Sequence, residues 1–142
     1  MKKYIATIIT GIALTIGIPS NAQNATSALL PIPNSINVCN DGRTFEIDNN
    51  TIISTTLPKE SFIVGELQRI IGKRLNIYPA IGKNCNNAIY VELDNTIEGR
   101  EHYTIDVNSN GVQIKGATEG ALFLALQTLD QILMGDICNT MD

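Results

Sequence analysis

The sequence predicts an α+β fold: a two-layer domain with a mainly antiparallel sheet and two helices packed on one face. Three observations predict it. Short runs alternate apolar and polar residues, an Asn110-Gly111 reversal joins two of them, and two longer stretches repeat apolar residues every three or four positions. The resulting order, β-β-α-β-β-β-α, groups strands and helices as a two-layer domain does. At 142 residues the chain has room for one ordinary domain.

Residues 1–22 read as a signal peptide. Lys2 and Lys3 form a basic start, Ile5 to Ile18 is apolar apart from threonines and glycines, and Ser20-Asn21-Ala22 supplies small residues for cleavage after Ala22. The competing reading, a membrane anchor, suffers from a run too short to span a bilayer comfortably. Export to the periplasm or the extracellular space follows, and the short Lys-Lys leader is bacterial in type. Residues 23–36 form an extended segment, held straight by Pro31 and Pro33. Residues 37–134 form the α+β domain and 135–142 a tail.

Within the domain, Asn40-Asp41-Gly42 marks a turn and Thr44 to Asp48 alternates as a half-buried strand. Asn49-Asn50 turns again into the β-branched strand Thr51 to Thr55. Pro58 suits the first turn of a helix carrying Ile63, Leu67, Ile70 and Ile71, with Lys73 and Arg74 near its end and Asn76 as a stop. Gly65 and Gly72 each weaken that helix by up to about 1 kcal/mol relative to alanine, so it depends on packing. Strands follow at Ala88 to Leu93, His102 to Val107 and Val112 to Gly116. Their alternation implies one packed face and one face toward water or another layer. Thr118 is a good N-cap for the last helix, and Leu122, Leu126, Leu129 and Leu133 form the stripe that covers the sheet.

That last helix carries more apolar surface than one sheet can cover. At 100° per residue Phe123 lies to one side of the leucine stripe, and Leu124 points nearly away from it. Exposing both would forgo about 1.5–3 kcal/mol for each side chain. Either the loop at 77–87 or the tail folds over them, or Phe123 and Leu124 form an interface with a second domain.

Composition restricts the partners. The chain carries a formal charge of −4, and removal of the two leader lysines leaves eight basic against fourteen acidic residues, a net of −6. Nucleic acid and, after cleavage, an anionic membrane surface are therefore not expected partners. Cys39, Cys85 and Cys138 are an odd number for an exported chain, and Cys39–Cys85 is the pair to test first. With His102 the only histidine and no C-x-x-C, no metal site and no cofactor are expected.

The carboxylates offer little chemistry. Glu92 and Asp94 share one face of a strand end, and Glu98 and Glu101 sit in a charged loop. Solvated surface accounts for both pairs better than catalysis does. His102, beside Glu101, has the chemistry of a base, although a lone histidine opening a strand fits a structural position better. No nucleophile elbow, H-E-x-x-H helix or phosphate-binding glycine loop is present. Asn24-Ala25-Thr26 and Asn49-Asn50-Thr51 match glycosylation acceptors, relevant only in a host that glycosylates.

Several segments, in order, resemble the N-terminal, non-catalytic domain of family-20 glycoside hydrolases, the β-N-acetylhexosaminidases. They are Leu30-Pro31-Ile32-Pro33, the strand Ala88 to Asp94, Glu101-His102-Tyr103-Thr104-Ile105, and Gly111-Val112-Gln113-Ile114. Thr118-Glu119-Gly120-Ala121-Leu122-Phe123 and Leu126-Gln127-Thr128-Leu129-Asp130-Gln131-Ile132-Leu133 complete the set and, with Gly111 to Ile114, are its most specific part. The resemblance covers residues 29 to 133 and implies an antiparallel sheet with helices on one face, preceding a (β/α)8 catalytic barrel. In that family a barrel Asp orients the substrate's acetamido group while the adjacent Glu protonates the leaving oxygen.

No residue here inherits those roles: the sequence has no Asp-Glu dipeptide, and nine residues follow Leu133 where a barrel takes about 250. The expectation is an accessory domain without its barrel, inactive alone, that packs against and supports a catalytic domain and meets glycan only indirectly. The alternatives are a free-standing secreted interaction or carbohydrate-binding module, and a translated gene fragment. The lack of tryptophan counts against direct sugar binding.

Overall fold

The computed structural model describes residues 45–83 and 86–134 in full. It also describes the strands β1 (Tyr4–Ile5), β2 (Ile8–Thr10) and β3 (Ser35–Asn37) by their backbone. After these come β4 (Phe45–Glu46), β5 (Ile52–Thr55), helix α1 (Phe62–Leu75) and β6 (Ala80–Ile81). The chain continues through β7 (Ala88–Leu93), β8 (Tyr103–Asn108), β9 (Gly111–Gly116) and helix α2 (Glu119–Leu133). Strands β1 and β4 form a small antiparallel pair, and the other seven make one sheet in the order β3-β2-β8-β9-β7-β5-β6.

The α+β class and the two-layer arrangement hold, but the sheet is mixed rather than mainly antiparallel. Strands β5, β6, β7 and β9 run parallel, and antiparallel pairing begins at β8. Two connections cause this. The helix α1 carries the chain back over the sheet between β5 and the next strands, and such a crossover leaves its strands parallel. The loop 94–102 then delivers β8 to the far side of β9, so the hairpin folds β9 in between β8 and β7.

That hairpin turns at Ser109-Asn110, with Asn108 accepting from the Asn110 amide at 2.8 Å. Gly111 is already paired in the ladder opposite Asn108 and beside Ala88.

Alternation sorts the central strands. Ile89, Val91, Ile105, Val107, Val112 and Ile114 are buried toward the helices, with Tyr103 among them. Tyr90, Glu92, Thr104, Asp106, Gln113 and Lys115 occupy the opposite face and are half-buried. Helix α2 sets Leu122, Leu126, Leu129 and Leu133 fully into the core, as its leucine stripe predicts. Its N-cap is Thr118, whose hydroxyl accepts from the Ala121 amide at 3.1 Å.

Helix α1 starts later than Pro58 suggests. Residues 58–60 form a turn, and Ser61 caps the helix by accepting from Ile63 N–H at 3.3 Å. Asn76 ends it in the left-handed conformation, φ 54°. The turn at 48–51 is tied to the start of β7, because Asn87 accepts from the Thr51 hydroxyl at 2.6 Å and donates to Asp48 at 3.0 Å.

Strands β1 and β2 fall within the stretch read as a leader. β2 pairs antiparallel with both β3 and β8 (Ile9 opposite Ile36 and Ile105). Cys39, Cys85 and Cys138, the tail from Gly135, and the segment 23–34 lie outside the described residues. Among the described residues, no helix is long and apolar enough to cross a membrane.

Candidate functional site: the outer face of the helix pair

Helices α1 and α2 run side by side in the same direction, because each follows one of the parallel strands. Three contacts climb along both helices together. The Phe62 and Phe123 rings lie 5.8 Å apart and tilted by 33°, within the range of favourable aromatic pairs. One helical turn on, Glu66 takes a hydrogen bond from Gln127 and a bidentate pair from Arg69 at 2.6 and 2.8 Å. At the far end Arg74 grips Asp130 in a two-pronged bond at 2.6 and 3.1 Å. The Arg69 guanidinium holds Glu66 below the usual carboxylate range, and Arg74 does the same to Asp130.

Phe123 and Leu124 stand on this face. Both are half-buried and packed against the core rather than fully exposed. The residue left to solvent beside them is Phe62, with 66% of its surface exposed. Sequence reasoning missed Phe62, although the signal was present. In 100° steps it falls off the Ile63, Leu67 and Ile70 stripe and onto the side of Arg69 and Lys73, an aromatic ring on a charged face. The described part of the loop 77–87 does contribute to the core, through Ile77 and Ile81 packed against it and a buried Pro79. Tyr78 lies over Gly72, where a Cβ would stand 2.6 Å from its ring, and remains 75% exposed.

The carboxylate candidates lie elsewhere. Glu92 and Asp94 are brought together, but around Lys115, whose amine is 3.2 Å from one and 3.8 Å from the other. Asp94 also accepts from the Thr96 hydroxyl and amide, bonds that lower its pKa. Glu98 and Glu101 are exposed in the loop before β8. His102 is half-buried against Gly99, which has φ +99°, and its Nδ1 has no hydrogen-bond partner. Among the described residues, no three His, Cys, Asp or Glu side chains cluster as metal ligands do.

No curated protein matches this sequence. The model of glycosyl hydrolase family 20, domain 2, matches residues 26–141, which include the whole described domain from β3 to α2. A mixed sheet backed by two parallel helices, with Phe62 turned outward and Glu66, Glu92, Asp94 and Asp130 engaged in ion pairs, is the form taken by a chain that belongs to glycosyl hydrolase family 20, domain 2.

Proposed function

We propose that this domain is the accessory module of an exported β-N-acetylhexosaminidase, and that the outer face of its helix pair packs against that enzyme's (β/α)8 catalytic barrel. Family membership supports the parent activity. The observation that carries the docking face is the Phe62–Phe123 pair. Two aromatic rings stack across the helices with Leu124 on the same helix as Phe123, and one ring remains two-thirds exposed. Aromatic anchors of this kind dominate the energetics of protein interfaces. Arg69, exposed beside them, completes a polar rim.

The test mixes this chain with a separately produced family-20 barrel and measures association by analytical ultracentrifugation. Phe62→Ser and Phe123→Ser are each expected to weaken binding by about tenfold or more, while Glu98→Gln, on the loop before β8, leaves it unchanged. Association that ignores both phenylalanine substitutions would refute the docking face. Export is tested separately. The mature protein recovered from the periplasm or medium is expected to begin at Gln23, and an intact Met1 terminus would refute export by cleavage.

A further inference from the structure

The face of the sheet turned away from the helices carries a groove of about 330 Å³, lined by Ser54, Thr55, Thr56, Lys83, Tyr90, Val91 and Glu92. It lies over the carboxyl ends of the parallel strands β5 and β7, with Lys83 beyond the end of β6 forming one wall. Crevices at the carboxyl ends of parallel strands are recurrent ligand positions, and this volume lies at the small end of the range for ligand pockets. The placement follows from alternation. Ile53, Ile89 and Val91 point into the core, so Ser54, Tyr90 and Glu92 point out of it.

The lining restricts what fits. Thr55 is committed internally, its hydroxyl donating to the Val91 carbonyl at 2.7 Å and accepting from Leu57 N–H at 3.0 Å. The lining brings the Ser54 and Thr56 hydroxyls, the exposed Lys83 amine and the Glu92 carboxylate, itself ion-paired with Lys115 at 3.2 Å, around the half-buried Tyr90. Lysine only donates hydrogen bonds and an ionised carboxylate only accepts them. With Lys83 and Lys115 balancing Glu92 and Asp94, net charge draws neither an anion nor a cation to this donor and acceptor. A neutral molecule rich in hydroxyls satisfies both, since each hydroxyl donates and accepts, and an aromatic side chain offers the apolar part of such a ring a surface to rest on.

We infer that this groove is a binding site for a neutral saccharide, of one or two rings, on the face opposite the docking surface. The inference deepens the proposed role by giving the accessory domain its own contact with glycan. It fails independently of that role, because the groove and the helix pair lie on opposite faces of the sheet.

The test titrates the 15N-labelled full chain with N-acetylglucosamine, its β-1,4-linked dimer and glucose, and follows amide shifts. Saturable shifts confined to residues 54–56, 83 and 90–92 are expected. Lys83→Met and Glu92→Gln are each expected to weaken binding about tenfold, with unaltered spectra elsewhere showing that the fold persists. Tyr90→Leu provides a third variant with the aromatic surface removed. An absence of shifts with all three sugars, shifts centred on Phe62 and Phe123, or unchanged binding by Lys83→Met and Glu92→Gln would each overturn the inference. Loss of barrel association with sugar binding intact would overturn only the docking proposal.

Discussion

Tyr103 and Thr128 form a buried polar contact that spans the two layers. Their hydroxyls meet at 2.7 Å between β8 and α2, inside an otherwise apolar core, and burial pushes the Tyr103 phenol upward in pKa. Tyr103→Phe strands the Thr128 hydroxyl without a partner, and a buried orphan of this kind costs about 1–3 kcal/mol. Urea unfolding should show that loss, and Tyr103→Phe with Thr128→Val should recover part of it, because the second substitution removes the orphan. An unchanged midpoint for Tyr103→Phe would contradict the contact. At this scale the sequence is a poor guide: Tyr103 reads as an inward residue of an alternating strand, but nothing local pairs it with a threonine 25 positions away. Gly111 is similar. Asn110-Gly111 suggests a glycine inside the turn, whereas the structure needs glycine because a Cβ there would land on the Ala88 carbonyl oxygen of the neighbouring strand.

Among the elements, the two helices are joined by the pH-dependent Arg74–Asp130 ion pair, while Glu66 and Arg69 form a second pair within α1. Asp130 has its pKa lowered mainly by the hydrogen bond from Arg74, and Glu66 by that from Arg69. A carboxylate whose folded pKa is depressed contributes stability that is fully present above its unfolded value. That contribution is lost as pH falls through the folded one. For Asp130 the loss therefore begins near the ordinary value of 3.8 and continues below it. Asp130→Asn should flatten the acid limb of the stability-versus-pH curve below about pH 4, measured by thermal unfolding. It should also lower stability at neutral pH, where the wild-type pair is intact. An acid limb identical to wild type would show that the pair is not coupled to folding. The helices themselves were legible from their periodicity and from Thr118 and Asn76. Their parallel packing was not, because Phe62, Glu66 and Arg74 find their partners 61, 61 and 56 positions along the chain.

For the whole molecule, the stretch that the sequence reads as a leader contributes a strand to the sheet. β2 lies between β3 and β8, so cleavage after Ala22 would remove a strand and leave β8 with an unpaired edge. Unpaired edges are templates for further strand pairing. Hydrogen exchange compared between the full chain and a chain beginning at Gln23 should show faster exchange at residues 103–108 in the shorter one. A peptide spanning residues 4–12 added in trans should restore protection. Equal protection without the peptide would mean that another segment covers that edge.

From sequence alone came the two-layer α+β class, the amphipathic helices with their caps, the alternating strands, the inward leucine stripe of α2 and the family resemblance. All of these rest on short-range chemistry: side-chain period, turn residues and the order of motifs along the chain. Only the tertiary structure decided that the sheet is mixed, that Lys115 takes up Glu92 and Asp94, that Phe62 rather than Phe123 is the exposed ring, and that a groove opens on the polar face. Each of these depends on which strand lies beside which and which helix faces its neighbour. That is fixed by the crossover through α1 and by the loop 94–102 passing β9, long-range geometry that leaves no local pattern in the residues.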